Sequence, residues 1–115
     1  MPLVTLKTNI SSEKIPSDFH VHFTKKLSEV MEKPQERISV TVETEKSMAR
    51  GGSMDPVCEL HIITIGFESK EKTLPLTQEI TQYLAEQTGI PPLRIVIYIT
   101  SVQPTHIGCN GRLMG

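Results

Sequence analysis

The chain carries its own pattern twice. Sliding the sequence by 57 positions places Pro34 on Pro91, Arg37 on Arg94 and Ile38 on Ile95, and also Thr24 on Thr81, Leu27 on Leu84 and Glu29 on Glu86. Phe23 meets Ile80, Val40 meets Ile97 and Val42 meets Ile99, so apolar positions coincide along with identities. Leu3 falls on Leu60, and the match needs no gap. A repeat of this kind restricts the fold to two copies of one supersecondary unit.

Periodicity says what the unit is. Residues 2–8 predict a short strand. Ser17 is placed to cap a helix over 17–32, with Asp18 in its first turn and Phe19, Phe23, Leu27, Val30 and Met31 on one face. Lys33-Pro34 ends it, because the residue before a proline is pushed out of helical geometry. Ile38, Val40 and Val42 alternate with Ser39, Thr41 and Glu43, the period of a half-buried strand. Arg50-Gly51-Gly52-Ser53 and Asp55-Pro56 mark a loop. A third strand over 57–66 and a second helix over 74–88 follow, with Pro75 expected in the helix's first turn and Gly89 closing it. The fourth strand, 94–101, is β-branched almost throughout. Beyond Pro104 the chain carries turn chemistry at Gly108 and Asn110-Gly111.

Each half, residues 2–44 and 59–101, therefore reads strand, helix, strand. A right-handed crossover makes the two strands of each half parallel. The expected fold is α/β (α+β): a four-stranded sheet with two helices on one face, in a single domain over residues 1–115. The other face would carry Ser39, Thr41 and Glu43 beside Val96 and Tyr98, neither cleanly polar nor cleanly apolar. Parallel strands are seldom left open to water on one side, so a closed homo-oligomer with facing sheets is expected.

Composition removes several function classes. With 12 basic and 13 acidic residues the formal charge is −1, without the basic field of a nucleic-acid binder. No apolar run approaches the roughly 20 residues that cross a bilayer, so no membrane insertion is expected. The first residues lack the apolar core of a signal peptide, and a cytoplasmic protein is the expectation. Cys58 and Cys109 are lone thiols outside any CxxC pair, expected to be inert and semi-buried.

Motifs for phosphate binding, serine nucleophiles and paired-cysteine metal sites are absent from the sequence. His20 and His22, two apart on a helix, point to nearly opposite sides, while His61 and His106 are isolated in sequence. The remaining oddity is Met1-Pro2. Aminopeptidases generally remove an initiator Met before a small residue, exposing proline as the N-terminus. A terminal proline is a secondary amine, and an apolar pocket lowers its pKa towards neutrality. That suits a general base lifting a proton next to a carbonyl. Equally, a strand tolerates proline at its first position for purely structural reasons.

Pro2, Thr8-Asn9, Lys33-Pro34, Gly51-Gly52-Ser53, Asp55-Pro56, Ile65-Gly66 and Gly108-Cys109-Asn110-Gly111 together resemble, in order and spacing, the macrophage migration inhibitory factor family, which includes D-dopachrome tautomerase. The resemblance spans the whole chain. It implies a homotrimer whose sheets surround a central channel, and cofactor-free keto–enol tautomerisation of small aromatic keto acids such as phenylpyruvate, or of dopachrome analogues. Pro2 would be the catalytic base and Lys33 would hold the substrate carboxylate; a cation at the end of the first helix is the competing role for Lys33. Ile65 would present its backbone beside the pocket and Ile107 would line it, though both also suit plain core positions.

Three positions depart from macrophage migration inhibitory factor itself. Val96 stands where that protein has a tyrosine lining the pocket, and Tyr98 stands where it has an asparagine. Tyr98 could partly replace the missing ring or fill a subunit interface. Arg37 replaces another tyrosine, as in the D-dopachrome tautomerase branch; it suits an acidic substrate, but its match to Arg94 favours a shared structural job. The missing CxxC counts against thiol-oxidoreductase activity. The alternative function is a cytokine-like signal, exported without a signal peptide to a cell-surface receptor, with only residual tautomerase activity.

Overall fold

The computed structural model describes residues 1–114 of the chain. Strand β1 (Leu3–Thr8) leads to helix α1 (Phe19–Met31) and strand β2 (Ser39–Glu43), and strand β3 (Cys58–Thr64) leads to helix α2 (Lys70–Thr88) and strand β4 (Ile95–Ser101). The sheet order is β2-β1-β3-β4. Within each half the strands are parallel, and β1 joins β3 antiparallel at the centre. The α/β architecture with two helices and a four-stranded sheet is thus as the sequence implies. A two-residue turn at Asn110-Gly111, both with positive φ (57° and 73°), folds the tail into a small hairpin of β5 (Gly108–Cys109) and β6 (Arg112–Leu113). None of the described helices is long and apolar enough to cross a membrane.

The core lies between the sheet and the two helices. From α1 it takes Phe19, Phe23, Leu27 and Met31, and from α2 Leu76, Ile80 and Leu84. They pack on Val4 and Leu6 of β1 and on Cys58, Leu60 and Ile62 of β3. Three of the chain's five aromatics close the space between the helices, with Phe23 and Tyr83 stacked at 5.7 Å and Phe19 against Phe23 at 5.1 Å.

The repeat holds in three dimensions with one slip. Both helices end on a left-handed residue, Glu32 (φ 55°) and Gly89 (φ 76°), and both then pass through an extended proline, Pro34 or Pro91, into a single tight turn. Those elements keep the offset of 57. The first strands do not. Leu3 is half-exposed on the open face whereas Leu60 is fully buried, so the gapless match brings residues from opposite faces together. An offset of 56 preserves the faces, placing Val4 on Leu60, Leu6 on Ile62 and the two buried threonines, Thr8 and Thr64, on each other. Side chains alternate with period two, so one residue of slip is the whole difference between core and surface.

Two element ends also differ from expectation. Asp18, not Ser17, holds the N-cap position of α1 and makes no side-chain cap bond. Helix α2 starts at Lys70 and carries Pro75 in its second turn. The helix-prone Lys70-Glu71-Lys72 run extends it, and proline removes only the one bond its missing N–H would have given.

Leu27 and Leu84 are repeat mates, each fully buried. Leu27→Ala and Leu84→Ala should each lower stability by about 2–5 kcal/mol in urea unfolding at matched protein concentration. Val21→Ala, on the same helix as Leu27 but 71% exposed, should stay within about 0.5 kcal/mol of the parent.

Candidate active site

Because β1 and β3 run antiparallel, one end of the sheet collects the starts of β1 and β2 with the ends of β3 and β4. Pro2, Lys33, Arg37 and Ile65 all lie at that end. Pro2 is buried, and its carbonyl accepts a 3.1 Å bond from the Ser39 amide, which ties the first residues to β2. Its nitrogen forms the peptide bond with Met1, so here it is an amide and not an amine.

Lys33 is placed by the way α1 stops. Its amide donates to the Ser28 carbonyl at 3.3 Å, and the Ser28 hydroxyl donates to the Lys33 carbonyl. With its backbone held on both sides, the side chain reaches across to β3, where Nζ donates to the Ile65 carbonyl at 3.3 Å. The same ammonium lies 6.0 Å from the centre of the Phe67 ring, and Lys72 stands 5.7 Å from that ring. Ile65 itself is half-buried, and its carbonyl is the part it offers to this region.

The electrostatics are those of a desolvated, cationic corner. Burial is the largest influence lowering the Met1 amine below its ordinary pKa, followed by the charge of Lys33 and then that of Arg37. Arg37 therefore sits within electrostatic reach of the chain's first atoms. Its guanidinium makes no hydrogen bond among the described residues, and this parts it from its repeat mate. Arg94 donates to the carbonyls of Pro56 (2.9 Å), Ser53 (3.0 Å), Asp55 (3.0 Å) and Arg50 (3.3 Å), clamping the loop at the opposite end of the sheet. Asn9 fastens that loop as well, donating to Met54 and Asp55 and accepting from the Val57 amide. The shared structural job expected from the Arg37–Arg94 match does not hold: one arginine closes its end of the sheet and the other leaves its end open.

Tyr98 lies on the open face of the sheet, whereas Pro2 is on the buried face. Tyr98 is 47% exposed on the open face of β4, stacked on His61 at 4.3 Å, and the His61 ring Nε2 lies 2.8 Å from the Thr100 hydroxyl. Ile107 is half-buried beyond β4, where its carbonyl accepts from the Met114 amide at 3.0 Å. Of the thiols, burial and then Glu59 push Cys58 up to about 12, which keeps it protonated, while Cys109 is exposed where semi-burial was expected. Among the described residues no His, Cys, Asp and Glu cluster could hold a metal ion.

Sequence reasoning passed over Thr64. It is fully buried at the end of β3, and its hydroxyl is the one buried side-chain polar atom found without a hydrogen-bond partner among the described residues. Its repeat mate Thr8 is paired, donating to the Val57 carbonyl at 2.8 Å.

The sequence model of the family "Macrophage migration inhibitory factor (MIF)" matches residues 1–115. The chain belongs to the macrophage migration inhibitory factor family. Relatives include the MIF-like protein mif-2 of Caenorhabditis elegans, 35% identical over 96% of this chain and 92% of that one. D-dopachrome decarboxylase-B of Xenopus laevis is 34% identical over 99% of this chain and 98% of that one. Among solved structures, macrophage migration inhibitory factor of Trichinella spiralis superposes with a TM-score of 0.91 at 25% identity, covering 96% of this chain and 98% of that one.

The two repeat-related arginines separate experimentally. Arg94→Ala should lower stability by about 1–3 kcal/mol, since four carbonyl contacts lose a charged donor, and should speed amide exchange of the Val57 N–H. Arg37→Ala should leave thermal unfolding within about 0.5 kcal/mol of the parent.

Proposed function

We propose that the protein is a cofactor-free tautomerase of small keto acids, phenylpyruvate being the type, with Pro2 as base once Met1 has been removed. The observation that carries this reading is the electrostatic character of the Pro2 end. The Met1 amine there is disfavoured as a cation by burial, by Lys33 and by Arg37, in that order. A terminal Pro2 amine in the same surroundings would be shifted towards its neutral form, the form able to accept a proton. Macrophage migration inhibitory factor and D-dopachrome decarboxylase, by their names, stand among the relatives.

The chemistry needs few parts. Neutral Pro2 takes the proton from the carbon beside the substrate carbonyl, and the electron pair left behind forms the enolate. Pro2 then returns the proton to the carbonyl oxygen, giving the enol. Lys33, a compact ammonium already directed to the pocket by the Ile65 carbonyl, holds the substrate carboxylate. Arg37 supplies a second positive charge for an acidic substrate. Ile65 presents its backbone carbonyl beside the pocket and Ile107 lines it.

Self-association belongs to the same reading. The open face of the sheet carries Thr5, Lys7, Thr41 and Glu59 beside Ile63, Val96 and Tyr98. A homotrimer with these faces turned inward would cover them, and a neighbouring copy could then present Tyr98 to the Pro2 pocket.

Intact mass should show protein lacking Met1, and that form should turn over phenylpyruvate. Pro2→Gly should lower kcat/KM by about 10²- to 10⁴-fold. Absence of turnover in Met1-free protein would overturn the reading and leave receptor engagement in its place. The pH profile carries a sign. Activity should rise with pH through the lowered pKa of the Pro2 amine and then level off. Lys33→Ala removes one of the cations that depress it, so the rising limb should move to higher pH while KM for the keto acid increases.

A further inference from the structure

Thr64 ends β3 fully buried, facing the helices like Leu60 and Ile62, with a hydroxyl that has no partner among the described residues. Such a group is expensive to bury alone, and native proteins rarely leave one without a partner. Its position names the partner. In the β1–β3 ladder Leu3 lies opposite Ile63 and Val4 opposite Ile62. Continuing that register by one step sets Pro2 opposite Thr64, on the same buried face. Opposed residues on one face of an antiparallel pair hold their Cβ atoms about 4.5–5.5 Å apart, within reach of a short side chain.

The repeat shows what a threonine in this place does. Thr8 lies opposite Cys58 at the other end of the same ladder, and its hydroxyl bonds the carbonyl of Val57, the residue just before Cys58. The corresponding position for Thr64 is the junction of Met1 with Pro2, yet among the described residues its hydroxyl makes no such bond to the Met1 carbonyl. While that junction is a tertiary amide its nitrogen has no N–H to donate and no available lone pair. Removal of Met1 changes this, because a terminal proline nitrogen carries one N–H when neutral and two when protonated.

We infer that Thr64 is a positioning residue whose hydroxyl oxygen accepts a hydrogen bond from the N–H of a terminal Pro2, directing the remaining lone pair towards the substrate. The inference rests on the reading of Pro2 as base. It differs from the roles of Lys33 and Arg37, which act on charge; Thr64 fixes direction. A hydroxyl that accepts from the amine also bonds the ammonium more strongly than the neutral form. Thr64 and Lys33 therefore pull the Pro2 pKa in opposite senses.

The test uses Thr64→Val, which keeps the shape and deletes the hydroxyl, and Thr64→Ser, which restores it. Each is prepared in two forms whose intact mass shows Met1 removed or, with methionine aminopeptidase inhibited during expression, retained. With Met1 retained, Thr64→Val should be as stable as the parent or more so. With Met1 removed it should be less stable, and Thr64→Ser should match the parent in both forms. An equal stability change in both forms would overturn the inference, since the hydroxyl would then bond something other than Pro2. In the Met1-free enzyme Thr64→Val should lower kcat about tenfold with KM for phenylpyruvate nearly unchanged, a loss in keeping with one charge-assisted hydrogen bond. The rising limb of its pH profile should move to lower pH, against the direction expected for Lys33→Ala. A limb that stays in place or moves upward would also overturn it. If no form shows turnover, the proposed activity fails, while the stability comparison still decides whether Thr64 pairs with Pro2.

Discussion

Six residue pairs along β1 and β3, from Leu3 opposite Ile63 to Thr8 opposite Cys58, join two units that are each parallel within themselves. This antiparallel seam lets both helices share one face and one core. Leu60 and Ile62 lie beside Val4 and Leu6 across it, and Phe23, Leu27, Ile80 and Leu84 close over all four. The seam also sets where chemistry can occur. It brings the first residues of the chain beside the last residues of β3, and without it Pro2 and Ile65 would sit at separate ends of separate units.

A fold with internal two-fold character has two equivalent ends, and this chain treats them differently. At one end Arg94 and Asn9 draw the loop over residues 50–56 down on the sheet, and Thr8 is satisfied by Val57. At the other, among the described residues, Arg37 is left without a carbonyl to hold, Lys33 reaches across to Ile65, and Thr64 has its hydroxyl unpaired. The repeated positions Leu27 and Leu84 serve packing alike on both sides. Divergence between the halves is concentrated in the residues beyond the core, at the two ends of the sheet.

The helices, their order and the open sheet face were legible because burial of an amphipathic helix leaves a strong periodic trace, as at Phe19, Phe23 and Leu27. The slip between the first strands was not. Leu3 and Leu60 match as letters at an offset of 57, and identity carries no information about which side of a pleated strand a residue faces. The start of α2 was hidden by Pro75, which reads as a boundary although the solvated turn before it is helical. At the candidate site, the meeting of Pro2, Lys33 and Ile65 could be expected only through family resemblance, since their spacing has no local pattern. Arg37 was drawn to the wrong analogy by its repeat mate. Thr64 was illegible for another reason: within His61-Ile62-Ile63-Thr64-Ile65 a threonine is simply a good strand former, and only its three-dimensional isolation marks it.

The outer edges of the sheet have a consequence for folding. Strand β4, reading Ile-Val-Ile-Tyr-Ile-Thr-Ser, has neither the proline nor the lysine by which soluble proteins blunt a bare edge. Its partner β3 lies about 37 residues away in sequence, across the α2 crossover, so β4 must wait for that loop to close before its inner edge is covered. During the wait the segment has the makeup of an aggregation-prone strand: high β-propensity and no charge. The chain therefore faces a race between pairing β4 with β3 and pairing it with β4 of another molecule, and dilute refolding favours the first.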